Sequence, residues 1–438
     1  MARPLVSFVC VLCACSVISL VLVSYNKYPS NVLANQEVWL PKPRIGYTEA
    51  GDRTDLIATE GHTLTLTIRM SAVPKLITRL YCDLLRSAVL FWSSKLGHIS
   101  VILDKESEAD HRFAATLSRH ERELGVKFDF MYEPLPKKPA ILKMGRGGGY
   151  GRRLWSSFFM DLYINSSIIA WIDTDAMFTT PVTPENIFNG HRLRVVTFTD
   201  WSRMHRNGCY EATKLALGKD MVADFMTHFP AYIWRDTITN CRNHMLKHMK
   251  VTRLDDAFPK LVNLVSPVNV ILNYAYYFEN DRYDWHLDVN KDQEAYNLKQ
   301  LPRGLNIKPN ETIPEVRVTV HEKYYQKPKE PNPLLQGYCV AKRFVGPLPA
   351  NCQTFENVTN FQLFEFSWFP GIIQSHICTW CGSDEGRRDC VRRLEAHYKN
   401  VKTYYNLGWF DLNLRRVRAV EKVAAQENAM CPKIFDFD

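Results

Sequence analysis

Between Thr63 and Met131 the apolar residues switch repeatedly between a period of two and a period near 3.6. Thr63 to Met70 alternates apolar and polar side chains, which predicts a strand. Pro74 opens a helical pattern through Leu76, Ile77, Leu80, Leu84, Leu85, Ala88 and Phe91, at spacings of three and four. His98 to Leu103 predicts a second strand, Asp110 to Leu124 a second helix, and Val126 to Met131 a third strand. Strand and helix alternate in units of about 30 residues, which constrains the chain to parallel pairing with helical crossovers. The expected fold class is therefore α/β, a mostly parallel sheet with flanking helices.

The sharpest chemistry follows the next apolar run. Ile168 to Ile172 is short, continuous and bounded by polar residues, as a buried strand should be. Asp173-Thr174-Asp175 comes directly after it. In extended chain, side chains at i and i+2 point the same way. Asp173 and Asp175 are thus expected side by side at the strand's C-terminal end, where open α/β sheets bind ligands. A carboxylate pair there suits a hard divalent cation such as Mn2+ or Mg2+. Such a cation in turn suits a diphosphate. Asp-x-Asp pairs are also common in solvated turns, but the apolar strand before this one and Met177-Phe178 after it argue against an exposed turn.

Pro134 to Arg153 interrupts the alternation with prolines and the run Gly145-Arg146-Gly147-Gly148-Gly149-Tyr150-Gly151-Arg152-Arg153. Glycines let backbone N–H groups approach a ligand, and arginines can fork onto phosphate oxygens. A plain surface loop fits the same composition, and the spacing matches neither the Walker nor the dinucleotide pattern. Leu154, Trp155, Phe158, Phe159 and Leu162 form an amphipathic helix pattern whose aromatics read as core. Asp161 on that helix is a candidate contact for a sugar or ribose hydroxyl. Further strands are expected at Leu193–Phe198, within Phe229–Trp234 before a helix that ends near Met249, and at Val316–Val320 ending at His321. Asn269 to Phe278 is apolar and aromatic with embedded asparagines.

A chain of 438 residues with 46% hydrophobic and 23% charged residues has ample material for a large core. Its net charge of +9 is modest and spread out, and no basic stripe with interleaved aromatics points to nucleic acid. The apolar run Leu5–Val23, after Arg3, approaches the roughly 20 residues that span a bilayer. It is expected to be an uncleaved signal anchor, with the short tail cytosolic and the rest luminal. A cleaved signal peptide is the alternative, with Ala14-Cys15-Ser16 as small residues. Nine cysteines lie beyond the anchor, and in an oxidising lumen most should pair, leaving at least one thiol over. Asn310, Asn357 and Asn165 head glycosylation sequons, the last expected to be hidden beside the Ile168 strand. From about Lys327 the composition shifts to Pro, Cys and aromatics, predicting a disulfide-stapled C-terminal region. His376, Cys378, Cys381 and Cys390 have the residue types of a zinc site, though thiols in a lumen usually form disulfides.

A luminal anchor, an α/β domain and Asp-x-Asp at a strand end together resemble the type II Golgi glycosyltransferases of the GT-A superfamily. The run Tyr150 to Trp155, then Ile172-Asp173-Thr174-Asp175 and Pro181-Val182-Thr183-Pro184, is similar to an animal branch of these enzymes. The resemblance covers about residues 61–325 and implies a GT-A-like, Rossmann-like fold with a Cys-rich C-terminal extension. It implies a tail and transmembrane helix at 1–25, a stem at 26–60, a catalytic domain at 61–326 and the stapled region at 327–438. It further implies a Golgi membrane protein that moves a sugar from a nucleotide-sugar donor to a luminal glycan or glycoprotein. Mn2+ or Mg2+ would be held by Asp173, Asp175 and a later histidine, here His321, with His286 and His376 as weaker choices. Donor contacts would come from Arg146, Tyr150, Arg152, Arg153, Trp155, Asp161, Asp173 and Thr174. If the enzyme inverts, Asp255 or Asp256 would be the base, with Asp284 and Asp288 as further candidates. A haloacid-dehalogenase phosphatase also places Asp-x-Asp after a strand, but it wants Thr or Val where Met177 stands. A luminal binding protein with a transferase-like fold and no turnover is the other alternative.

Overall fold

The computed structural model describes residues 62–144, 149–178, 181–199, 209–261, 265–289, 319–321, 399–401, 403–410 and 414–431. The strands in chain order are β1 (Leu64–Arg69), β2 (Ile99–Asp104), β3 (Phe128–Glu133), β4 (Ile168–Ile172), β5 (Ala176–Phe178), β6 (Phe188–Asn189), β7 (Arg192–Thr199), β8 (Ala231–Trp234), β9 (Tyr283–Val289) and β10 (Thr319–His321). A five-stranded sheet has the order β3-β2-β1-β4-β8. Its first four strands are parallel, and β8 pairs antiparallel with β4 at one edge. The fold class is α/β with a mostly parallel sheet and flanking helices, as the strand-helix alternation predicts.

The Thr-bearing alternation of β1 predicts one wet face, yet all six residues of this strand are buried. Parallel strands are covered on both faces by their own crossovers, so Thr65 and Thr67 go inside with their neighbours. The whole of β4 is buried too. Each of its isoleucines contributes roughly 1.5–3 kcal/mol by leaving water.

The helices are α1 (Pro74–Arg79) and α2 (Arg86–Phe91), joined by a π-helical stretch Leu80–Leu85, then α3 (Glu108–Leu124), α4 (Tyr150–Ser156), α5 (Met160–Tyr163), α6 (Pro184–Ile187), α7 (Cys209–Leu217), α8 (Arg235–His248), α9 (Leu254–Ala257), α10 (Pro267–Phe278) and α11 (Leu414–Gln426). Pro74 starts α1 and Pro267 starts α10, where a missing N–H costs nothing. Ser107 caps α3 by accepting the N–H of Asp110 at 3.2 Å. The asparagines embedded in α10 have a packing role. Asn269 and Asn273 are fully buried and accept the backbone N–H groups of Phe225 (2.6 Å) and Val222 (2.7 Å), pinning the irregular segment before β8.

A second sheet joins β6, β7 and β9, with β7 and β9 parallel. A third pairing, β5 with β10, is antiparallel and sets His321 opposite Ala176. The helix α11 lies against α2, α3 and the π-helical stretch. It is locked there by a Cys82–Cys431 disulfide and by the Arg86–Glu421 ion pair at 3.0 Å. The described part of the C-terminal region thus packs back on the core. Cys241 is a buried thiol. Asn165, expected to be hidden, is exposed.

Among the described residues no helix is long and apolar enough to cross a membrane. The run 5–23, the stem, the sequons at Asn310 and Asn357 and the His376–Cys390 cluster lie outside the described residues.

Candidate active site at the C-terminal strand ends

Four parallel strands running the same way bring their C-terminal ends to one edge. Each end carries charge: Arg69, Asp104 and Glu133 are the last residues of β1, β2 and β3, and Asp173 follows β4. Beyond Ile172 the backbone leaves the sheet at once. The N–H of Ala176 donates to the carbonyl of Asp173 at 3.1 Å, closing a four-residue turn. The expected extended presentation of Asp173 and Asp175 is therefore corrected: the carboxylates sit on a β-turn, and each meets its own arginine. Arg153 of α4 pairs closely with Asp173, and Arg79 of α1 reaches Asp175 at 3.2 Å. Thr174 between them is buried. All four charged side chains are only partly exposed.

The strand that follows the turn is anchored to a helix. Phe178 donates its N–H to the hydroxyl of Ser87 at 2.9 Å, tying β5 to α2. From the other side, β10 places the backbone of His321 beside the residue that follows Asp175.

The described end of the glycine-rich run, Gly149 to Arg153, is a helix start. Gly149 adopts a φ of +83°, and its carbonyl accepts the N–H of Arg153 at 3.0 Å. Gly151 presses on Pro139–Lys143; a Cβ there would sit 2.0 Å from the carbonyl oxygen of Ile141. With that contact fixed, the adjacent arginines of α4 diverge, Arg153 to the turn and Arg152 inward.

Arg152 is 5% exposed and does not reach out for phosphate as expected. It donates to Glu106 at 2.8 Å and lies 3.2 Å from the carboxylate of Glu133 and 3.4 Å from that of Asp104. Arg69 completes the cluster, at 2.7 Å from Asp104 and in close contact with Glu133. The Arg152 guanidinium is thus already shared among three carboxylates, of which Glu133 is fully buried. This buried network was invisible in sequence, because its members lie in separate strands and each looks like an ordinary strand-end charge.

The other candidates fall as follows. Tyr150 opens α4, and Trp155 is buried against Phe159, with ring centroids 4.9 Å apart, as a core aromatic would be. Asp161, expected at a ribose, is tied to Arg242 of α8 at 2.6 and 2.8 Å, and both side chains are buried. Asp255 accepts the backbone N–H of Lys137 at 2.7 Å, and Asp256 pairs with Lys138 at 2.5 Å. These carboxylates clamp the loop after β3. The Lys138 bond also holds the Asp256 carboxyl below its usual range, which makes it a poorer proton acceptor. Asp284 pairs with His286 at 2.7 Å. Arg146 and His376 lie outside the described residues, as does the side chain of Asp288.

Among the described residues no three His, Cys, Asp or Glu side chains converge on one point. By residue type Asp173, Asp175 and His321 suit a hard or borderline divalent ion. The backbone of His321 stands next to the turn, while its side chain lies outside the described residues.

No family model matches this chain, and no curated relative does. Among solved structures, an active-site mutant of LgtC matches over 61% of this chain and 89% of its own, at 13% identity and a TM-score of 0.35. The apo form of mouse xyloside xylosyltransferase 1 matches over 52% of this chain and 84% of its own, at 12% identity and 0.28. With identity and TM-score this low, neither overlap carries the proposals that follow.

Proposed function

We infer that the chain is a GT-A-like glycosyltransferase that moves a sugar from a nucleotide-diphosphate sugar to an acceptor hydroxyl. The observation that carries this is the Asp173–Ala176 turn at the C-terminal end of β4, flanked by Arg79 and Arg153 and met by β10 at His321. Asp173, Asp175 and His321 would hold Mn2+ or Mg2+, which when bound supplies Lewis-acid stabilisation to the departing diphosphate. Arg153 and Arg79 offer fixed guanidinium groups to the phosphate oxygens, adding preorganised charge where it develops. The buried network of Arg69, Asp104, Glu133 and Arg152 keeps α4, and with it Arg153, in place.

The acceptor would be a glycan or glycoprotein in the Golgi lumen, with residues 1–25 as tail and anchor and 26–60 as stem. The apolar run Leu5–Val23 and the Cys82–Cys431 disulfide support that placement. A panel of UDP-, GDP- and CMP-sugars, each with Mn2+ or Mg2+, tests the proposal by thermal stabilisation. One donor should raise the unfolding temperature in a metal-dependent way and be hydrolysed slowly when no acceptor is present. Stabilisation by none of them overturns the proposal.

A further inference from the structure

We propose that Asn165 carries an N-linked oligosaccharide, rooted at the end of the sheet opposite to the Asp173–Ala176 turn. Asn165-Ser166-Ser167 has the spacing of an acceptor sequon, with no proline in the middle. The segment joins α5 to β4, and Ile168 opens the strand directly after it. Asn165 is exposed. Its backbone carbonyl accepts the Nη1–H of Arg235 at 3.3 Å, and among the described residues no hydrogen bond occupies its side-chain amide. Leu162, three residues earlier, is 65% exposed, so the surroundings are open to solvent.

The two serines are tied to the sheet instead. The Ser167 hydroxyl accepts the N–H of Thr63 at 2.9 Å and donates to the Thr63 carbonyl at 3.0 Å. The Ser167 N–H donates to the Thr63 hydroxyl at 3.1 Å, and the Ser166 hydroxyl meets that of Thr65. Arg235, the first residue of α8, donates its N–H to the Ser167 carbonyl at 2.9 Å. A hydroxyl committed to Thr63 is closed to an enzyme that reads the sequon, so the sugar is added before β1 and β4 pair. In that step the Asn165 Nδ2 attacks the anomeric carbon of a lipid diphosphate-linked oligosaccharide. A C–N bond forms, the anomeric C–O bond breaks with its electron pair leaving on the diphosphate, and an amide proton passes to a base of the membrane transferase. The four parallel strands begin at this edge, and the five residues of β4 alone put about 16 Å between it and the turn. The inference rests on the luminal placement proposed above and not on the donor site.

Expression of the full chain in animal cells tests this. Asn310→Gln with Asn357→Gln leaves Asn165 as the one remaining sequon. That double variant should lose the mass of one glycan on treatment with peptide N-glycosidase, and adding Asn165→Gln should abolish the shift. Glycopeptide mass spectrometry of the wild-type chain reads the occupancy of Asn165 directly, so the answer stands even where the variants fail to accumulate. A double variant that does not shift, beside a wild-type chain that does, overturns the site at Asn165 and leaves the luminal placement standing. A wild-type chain that does not shift and is digested by protease added outside sealed microsomes overturns the luminal placement as well. One that does not shift but is protected from that protease overturns Asn165 alone.

Discussion

Asp175 stands one residue away from Asp173, and its carboxylate is partly exposed and paired with Arg79. Asp175→Asn keeps the shape of the side chain and deletes the charge. The pair is largely shielded, at 20% and 16% side-chain exposure, so its loss should cost more than the ~0–1 kcal/mol of a surface pair and lower the unfolding temperature, while the chain still folds. Metal-dependent stabilisation by a nucleotide sugar should disappear, as a thermal-shift assay with and without Mn2+ would show. Retained stabilisation in the variant would mean that the turn holds no ion. Gly151 presents the opposite case, where the backbone itself allows no substitution. Its missing Cβ is what lets α4 lie against the carbonyl of Ile141, at a separation no real methyl tolerates. Gly151→Ala should cost about 1–3 kcal/mol through forced displacement of α4. It should also weaken donor binding, because Arg153 moves with the helix. Chemical denaturation and donor titration on the same sample would check both.

At the level of elements, the pair Asp161–Arg242 joins α5 to α8, and it separates a structural charge from a binding one. Removing one partner of a buried ion pair strands the other, at about 3–5 kcal/mol. Asp161→Ala should therefore lower stability by about that much, while the donor KM of the folded protein stays at the wild-type value. A raised KM at unchanged stability would return Asp161 to the donor site. This pair also marks where sequence stops informing. The elements themselves were readable: β1 to β4 and the helices between them follow from periodicity, because apolar spacing is a local property. The site was half readable. Asp173 and Asp175 stand out because the apolar strand and the acidic pair are adjacent in the chain. Their β-turn does not, since one hydrogen bond from Ala176 overrides the extended geometry that a strand end suggests. The partners of Asp161, Arg152 and Asp255 lie far away in sequence, at Arg242, Glu133 and Lys137, and a charge pattern gives no sign of them. The strand β9 went unread for a related reason: its residues Tyr283 to Val289 mix aromatics with Asp and His, and only pairing with β7 makes them a strand.

For the molecule as a whole, the far end of the chain is part of the core's support. Val420, Val423 and Ala424 of α11 are fully buried against the first helical layer. Their spacing of three and four is a helix signal that the cysteine-rich composition of the region masked. Arg86, on α2, is buried, donates its Nε–H to the carbonyl of Cys82 at 2.6 Å and pairs with Glu421, so undocking α11 would take a carboxylate partner away from a buried guanidinium. The Cys82–Cys431 disulfide bridges a sequence separation of 349 residues and keeps that partner in place. A native crosslink of this kind typically contributes about 2–5 kcal/mol, mostly by restricting the unfolded chain. Cys82→Ser with Cys431→Ser should lower the unfolding temperature and open the segment after Leu414 to limited proteolysis. Donor binding measured well below that temperature should be preserved, because β5 is tied to α2 by Ser87 and Phe178 independently of the crosslink. A doubly substituted chain that stays fully folded yet loses donor affinity would show instead that α11 shapes the site directly.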